Sequence, residues 1–523
     1  MAGRNPDGAP ASRGIPAGLL VAATRSGAGK TTTTLALLAS LRRRGLRVQA
    51  AKAGPDFIDP GHHARMTGRP SCNLDTWMGG ESSLRRVLAR ACADGPDMTL
   101  VEGVMGLYDG SGDGSGSSAD VARVLGLPVL LLLDARGAAQ SVAAVAEGFL
   151  RHRARGRAGE RIPPPHFAGV VCTHVGSEAH AAMLREACAD LPVPLLGCLP
   201  REGAPRLPSS HLGLVMADEL AMSPAMIAGM ADWLEAHLDV DALLARIGVA
   251  MPCAGGSRPR ACAASRSSGR LPDAGASLSA GVASLRDDMI SRAVFPVRPR
   301  VAVARDEVCC FCYADLPALL AELGAEVVFF SPLRDRALPP DCRAVYLPGG
   351  YPELHAADLA GNAAMRESVL RHAACGGRIH GECGGYMLLM RSLTLPDGTR
   401  VPLWGCLPQD ARLERSRAAL GYREVRPWTA PECRSRDAEE GGYAAGSPAS
   451  AAIWRGHEFH YSRLLPGSLP PECRPLWRVR GRMGAPLPDE GCVRGHVSGS
   501  WVHLYPEGSC LFWRQFIHGE LPR

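Results

Sequence analysis

The segment VAATRSGAGKTTTTLALL, residues 21–38, constrains the chain more than any other. An apolar strand runs into a glycine-containing loop, and the loop opens directly into a helix. That order aims backbone N–H groups and the positive end of a helix at one point, which makes a phosphate site. Lys30 is placed to neutralise β/γ-phosphate charge and Thr31 to reach Mg²⁺, while Ser26, Gly27, Gly29 and Thr32 complete the predicted phosphate-binding set. A strict GxxxxGK[ST] loop carries glycine at position 24, where Thr24 stands, so this loop is a variant. The expected fold around it is an α/β domain with a doubly wound parallel sheet of the P-loop type. Strands are predicted at Gly18–Ala23, Arg47–Ala51, Met98–Glu102, Pro128–Leu133 and Gly169–Thr173, with a helix over Thr31–Arg44. ATP is the predicted substrate of this half and Mg²⁺ its cofactor.

Of 58 basic residues only Lys30 and Lys52 are lysine. A chain that uses arginine almost everywhere keeps lysine where a compact ammonium is required and a planar guanidinium does not fit. Lys52 opens KAGPDFIDPGHH after the second strand, together with Asp56 and Asp59. A third strand ends in LVEGVMGLYDG, which places Glu102 and Asp109 nearby. Carboxylates after adjacent parallel strands, beside a phosphate loop, bind Mg-ATP. Thr31 and Glu102 are therefore the predicted metal residues, and Lys52 joins the phosphate set.

At 523 residues the chain is long enough for two large domains, and 46% apolar residues give each a core. The predicted division is a tail over 1–14, the ATP-binding domain over 15–250, a linker over 251–296 rich in Ala, Gly, Ser, Pro and Arg, and a second α/β domain over 297–523. The longest apolar run, Leu125–Leu133, contains Gly126 and Pro128. It falls far short of the roughly 20 residues of a membrane span, so it reads as a buried strand and no membrane partner is expected. The first residues lack an apolar signal region, and a cytoplasmic location is expected. A net charge of +6, spread as isolated arginines, argues against a nucleic-acid partner. The 18 cysteines are scattered through a large chain and read as reduced thiols.

The second half contains GRIHGECGGYMLLM, an apolar strand, a tight turn and a helix. Gly381, Gly384 and Gly385 let the turn bend sharply and lift the thiol of Cys383 to a helix start, the form of a nucleophile elbow. Upstream, YLPGGYPEL follows another strand, so the N–H of Gly349 or Gly350, with that of Gly384, makes an oxyanion hole; Gly350 is taken with Gly384. A thiol with a pKa near 8.5 needs a base at neutral pH, and His503 in GSWVHLYPEG is the choice. The string GHEFHYS is not HExxH and is read as no metal site. Cys309, Cys310 and Cys312 form a lone cluster without a second pair, which argues against structural zinc.

SGAGKTT, KAGPDFIDP, CNLDTWM, VEGVMGLYDG and GHEFHYS together resemble the cobyrinic acid and hydrogenobyrinic acid a,c-diamide synthases, over nearly the whole chain. The resemblance implies a dethiobiotin-synthetase-like ATPase fused to a class I glutamine amidotransferase. ATP would phosphorylate a carboxylate of the corrin precursor, ammonia drawn from glutamine and passed internally would displace phosphate, and the a and c acetates would be amidated in turn. It further implies that Asp59 assists Glu102 with the metal, that Asp56 and Asp109 position the substrate carboxylates and that His457 lies near the corrin or the domain interface. In the common class I triad a glutamate follows the histidine by two positions. Tyr505 stands there, and Glu507, four positions on, is unassigned, so the family's reduced, dyad-like form is expected. Where the family reads NRVGSERH this chain has Thr173 and His174 before VGSEAH, and Ser210 precedes HLGLV, which leaves the nucleotide-base contacts open. Also open are cobalt in the corrin and the oligomeric state, a homodimer being one arrangement. The alternatives are an amidase of another tetrapyrrole, such as nickel sirohydrochlorin, or of the other corrin side chains, and a partition-type regulatory ATPase with an inactive glutaminase-like tail.

Overall fold

In the computed structural model all six residues of strand β1, Gly18–Ala23, are buried. The reason is their alternation. Leu20 and Ala22 enter one hydrophobic cluster and Leu19, Val21 and Ala23 another, so the strand feeds cores on both faces of its sheet. The structure describes residues 16–156, 159–205, 222–249, 298–428, 453–467 and 469–519. The expected tail over 1–14, the expected linker over 251–296 and Ser210 lie outside the described residues. The chain forms two units, Met1–Thr76 with Leu84–Pro272, and Trp77–Ser83 with Asp273–Arg523. The short segment Trp77–Ser83, which sequence reading placed in the first domain, groups with the second.

The first unit is built on seven parallel strands: β1, β2 (Val48–Ala53), β3 (Cys72–Leu74), β4 (Met98–Glu102), β5 (Val129–Asp134), β6 (Phe167–Val175) and β7 (Leu195–Pro200). Their order is β3-β2-β4-β1-β5-β6-β7. One face is covered by helices over Ser118–Leu125, Ser141–Arg151 and Glu178–Ala187. The other is covered by α1 (Lys30–Arg43), α2 (Asp59–Thr67) and helices over Pro224–Glu235 and Val240–Ile247. Because β1 lies between β4 and β5, the loop after β1 sits among the carboxyl ends of central strands, where open α/β sheets bind ligands.

The second unit contains β8 (Arg300–Ala304), β9 (Glu326–Phe330), β10 (Cys342–Leu347), β11 (Arg378–Glu382), β12 (Ala419–Pro427), β13 (Trp454–His460), β14 (Val497–Ser500) and β15 (His503–Leu504). Its main sheet runs β9-β8-β10-β11-β14, all parallel, and two antiparallel strands, Cys492–Arg494 and Cys473–Arg474, extend the far edge. An antiparallel five-stranded sheet carries β12, β13 and β15, and a four-stranded sheet lies over Ser392–Thr394, Arg400–Pro402, Asp410–Leu413 and Ser462–Leu464. Sequence reading anticipated β8 to β11 but neither β14 nor these two sheets. Among the described residues no helix is long and apolar enough to cross a membrane.

Candidate functional site

In the first unit the chain leaves β1 through a loop in which Gly27 (φ 73°) and Gly29 (φ 88°) take left-handed backbone, and Gly29 caps α1. The turn needs those glycines, because a side chain is strained at such φ. Ser26 is exposed in the loop and Thr32 faces a pocket described below. Lys30 Nζ donates to the carbonyl of Met105 at 2.6 Å and lies 3.4 Å from that of Arg25. Thr31 Oγ1 donates to Glu102 Oε1 at 2.7 Å and is 3.5 Å from Asp59 Oδ2.

Lys52 completes the cluster. Its Nζ is 2.5 Å from Asp59 Oδ2, 2.9 Å from Glu102 Oε1 and 3.9 Å from Asp56 Oδ2. The other oxygen of Glu102 meets His63 Nε2 at 2.8 Å, so this wholly buried carboxylate is paired at both ends. Burial disfavours the charge on Lys52, but Glu102, Asp59 and Asp56 outweigh it and hold the ammonium charged. Burial likewise opposes ionisation of Glu102, and Lys52 with His63 hold it below the usual carboxylate range. Burial and the neighbouring carboxylates push Asp59 up. Lys30 is brought down to about 8, first by burial and then by Lys52. Asp56 Oδ1 accepts from the N–H groups of Ile58 and Asp59, and Asp109 Oδ2 from that of Gly106, so each shapes a loop at the rim. Both lysines of the chain thus lie in one anion-handling cluster.

Beside the loop, at the ends of β6 and β7, a pocket of about 420 Å³ is lined by Gly29, Thr32, Thr173, His174, Pro200, Arg201 and Trp233 among others. At the position where an asparagine was expected, the Thr173 hydroxyl donates to the Ala28 carbonyl at 2.9 Å and so braces the phosphate loop. His174, in left-handed backbone (φ 56°), meets Asp134 Oδ1 at 3.1 Å. Despite burial, Arg136 and His174 hold Asp134 at about 2. Sequence reading missed Pro200, Arg201 and Trp233; the rule that ligands gather at strand ends would have flagged the first two.

In the second unit β11 ends at Glu382, and Cys383 turns the chain with φ 49° and ψ −106° into a short helix, α3 (Gly384–Leu389). The glycines are required by contact as well as by conformation. A Cβ on Gly385 would lie 2.0 Å from the Leu347 carbonyl oxygen, and one on Gly381 would lie 2.5 Å from that of Gly385. Gly384 packs on the predicted oxyanion loop, its Cβ position being 2.7 Å from the Gly350 nitrogen. The thiol itself donates to the Phe459 carbonyl at 3.8 Å. Phe311 N–H holds the Gly349 carbonyl at 2.8 Å, so the CCFC segment backs this loop. Burial pushes the thiols of Cys309 and Cys312 up, the latter to about 12. Among the described residues no group of three or more His, Cys, Asp or Glu side chains is arranged to hold a metal ion.

His503 is brought to the thiol by β15. A Cβ on Gly349 would lie 2.5 Å from His503 Cε1 and 3.4 Å from Cys383 Cβ, which puts the two side chains no more than about 6 Å apart around one glycine. His457 is the register partner of His503 across β13 and β15, and the rings stack at 4.9 Å. His457 is buried, and its Nδ1 meets the Tyr313 hydroxyl at 3.2 Å. His457 is thus packed between His503 and Tyr313 and is 6% exposed. Burial lowers both imidazoles to about 3 and pushes the Cys383 thiol well up. Two carboxyls were missed by sequence reading. Glu382 lies 3.9 Å from His503 Nδ1, and Glu353, in the helical turn after the oxyanion loop, is pushed by burial to about 7 and raises the thiol further.

Comparison with known proteins fits this division. Residues 19–215 match the CobQ/CobB/MinD/ParA nucleotide binding domain, and residues 300–509 match the CobB/CobQ-like glutamine amidotransferase domain. The chain is similar to the hydrogenobyrinate a,c-diamide synthase of Rhodobacter capsulatus, 41% identical over 94% of this chain and 98% of that protein. It is 39% identical to the protein of the same name from Brucella abortus, over 93% and 98%. It is also 39% identical to the cobyrinate a,c-diamide synthase of Syntrophotalea carbinolica, over 96% and 99%.

Proposed function

The chain belongs to the hydrogenobyrinate and cobyrinate a,c-diamide synthases, and on that premise we propose that it amidates the a and c acetate side chains of a corrin precursor with ATP and glutamine. The observation that carries this reading is the presence of two separate anion-handling clusters on one polypeptide, one around Lys30 and Lys52 and one around Cys383 and His503.

In the first, a substrate carboxylate attacks the γ-phosphorus of ATP, a meeting of anions that positive charge must screen. Lys30 and the loop N–H groups hold the phosphates. Asp56 and Asp109, at the rim, orient the substrate carboxylate. Glu102, Asp59 and the Thr31 hydroxyl form an oxygen donor set that would hold Mg²⁺. The ammonium of Lys52 between those carboxylates is consistent with a site that favours positive charge. When bound, Mg²⁺ supplies neutralisation of the transferring phosphoryl group. The pocket bounded by Thr173, Pro200 and Trp233 has the size and position to take the nucleotide base.

In the second, neutral His503 takes the proton of Cys383, the thiolate attacks the glutamine carboxamide, and the N–H groups of Gly350 and Gly384 receive the oxyanion. Hydrolysis of the thioester frees the enzyme. The ammonia released displaces phosphate from the acyl phosphate made in the first unit.

Cys383→Ala tests the division of labour. Glutamine-dependent amidation should fall by at least about 10³-fold while synthesis from added ammonium salt stays within about twofold. Loss of both activities in a folded variant contradicts the reading. Running the wild-type assay on the cobalt-free and the cobalt-containing a,c-diacid decides which corrin is the substrate.

A further inference from the structure

Position 505, where a class I triad would place its carboxylate, holds Tyr505, which is buried and packs edge-on against Tyr313. The proton that a buried imidazole accepts creates an imidazolium in a low-dielectric site, which a nearby carboxylate stabilises. We propose that Glu382, the residue immediately before the nucleophile, is a positioning residue that supplies such a carboxylate to His503 from the elbow strand.

Four contacts carry the argument. Glu382 Oε2 accepts from the Tyr346 hydroxyl at 2.8 Å and faces His503 Nδ1 at 3.9 Å. Glu382 Oε1 accepts from the backbone N–H of Leu504, the residue after the base, at 3.2 Å, and lies 3.6 Å from His380 Nε2. One carboxylate therefore ties β10, β11 and β15 together at the point where β15 presents the imidazole. It is almost fully buried, and one donor on each oxygen keeps it in place while each oxygen retains a second lone pair. With Nδ1 turned toward Glu382, the Nε2 edge of the same ring is left for the thiol. The 3.9 Å separation is longer than a hydrogen bond. Protonation of the imidazole gives Nδ1 and the carboxylate opposite charges at short range and draws them together, as catalytic hydrogen bonds tighten on forming the reactive complex.

The step balances within the site. The proton leaves Cys383 Sγ for His503 Nε2, the sulfur pair attacks the carboxamide carbon, and the same proton later leaves with ammonia. The titratable groups that face it are His380 on its own strand, Tyr346 on β10, His503 on β15 and the nearby thiols of Cys312 and Cys383.

The inference rests on the glutaminase reading above, and the experiment separates the two. Wild-type protein that releases no ammonia from glutamine sinks that reading. Given wild-type activity, Glu382→Gln keeps the shape of the side chain and removes its charge. kcat/KM for glutamine should fall about 10²-fold, and the alkaline-rising limb of its pH profile should move down by about one unit, because the removed charge favours protonation of both His503 and Cys383. The rate of Cys383 alkylation by iodoacetamide should follow the same shifted profile, with ammonia-dependent amidation serving as the control for folding. Glu382→Asp, which retains the charge on a shorter arm, should recover part of the loss and restore the profile. An unshifted pH profile in Glu382→Gln, whatever its rate, makes Glu382 a structural strut and overturns the proposal. Should Glu382→Gln fail to fold, the rate of Glu382→Asp decides: a loss in kcat/KM for glutamine with ammonia-dependent amidation intact supports the proposal, and a wild-type kcat/KM overturns it.

Discussion

Lys30 and Lys52 lie in one cluster and carry different electrostatic loads. Lys52 is enclosed by three carboxylates and stays charged, so it is a fixed counter-ion for Glu102 and Asp59. Lys30 has only backbone carbonyls within hydrogen-bond reach, and burial beside Lys52 leaves it near 8. An arriving triphosphate raises that value, because a nearby anion favours the ammonium. ATP binding should therefore take up a proton, about none at pH 6.5 and approaching one at pH 9. Titration calorimetry in buffers of different ionisation enthalpy measures the uptake directly, and a pH-independent result would show that Lys30 is already fully charged in the free protein. Lys30→Ala should abolish the uptake. It should also remove both glutamine- and ammonia-dependent amidation, since both draw on the same acyl phosphate.

Two strand-to-helix turns, one after β1 and one after β11, position the chemistry, and both depend on glycine: the first for its left-handed backbone at Gly27 and Gly29, the second because Gly381 and Gly385 leave no room for a side chain. Gly349, in the loop after β10, shows the second constraint most sharply. A methyl group there would collide with His503 Cε1 at 2.5 Å and press on Cys383 at 3.4 Å, with Phe311 holding the adjacent carbonyl in place. Gly349→Ala should cut glutaminase activity by about 10²-fold or more by displacing the base, with ammonia-dependent synthesis close to wild type; equal loss of both would mean that the unit had unfolded. These turns were legible in the sequence because each is a local event. Gly27, Gly29, Lys30 and Thr31 fall within a few residues, and so do Gly381, Cys383 and Gly385. β4 is found at its predicted bounds, Met98–Glu102, because it is a short apolar run ending in a carboxylate at the sheet edge. What escaped was non-local. The stacking of His457 on His503 is a register between β13 and β15, which no local spacing encodes. Glu382 was overlooked because the acid was sought downstream of the histidine, whereas the sheet delivers it from the neighbouring strand. The antiparallel strands carry few apolar alternations, with Arg423, Glu424 and Arg426 all within β12, so periodicity gave them no signal.

At the scale of the molecule, the second unit buries ionisable groups whose pH responses oppose one another. His457 and His503 are held near 3 and His460 near 4, all by burial, against about 6.5 in an unfolded chain. The unfolded state then binds more protons below about 6.5, so these three residues make the unit less stable as pH falls from there. Glu353 and Glu490 run the other way. Burial raises them to about 7 and about 8 against an unfolded value near 4.5, so the folded state binds more protons and stability is lost as pH rises toward 8. Between about 4.5 and 6.5 three imidazoles and two carboxyls nearly offset. Above 6.5 only the carboxyls act, and the buried thiols join them beyond about 8.5. Stability of this unit should therefore peak near pH 6.5, even though forming the Cys383 thiolate favours a higher pH. Seven of the eight tryptophans, all except Trp233, fall in the second unit, so intrinsic fluorescence reports on it almost alone. The fluorescence-detected melting midpoint should drop by about 4 °C or more between pH 6.5 and 8.5, and drop again below about 4.5. Glu490→Gln, which keeps an acceptor for the Trp501 N–H without a charge to bury, should flatten the alkaline fall. A midpoint that climbs from pH 6.5 to 8.5 would mean that Glu353 and Glu490 are solvated in solution, and the enclosed geometry of the thiol site would have to be abandoned with them.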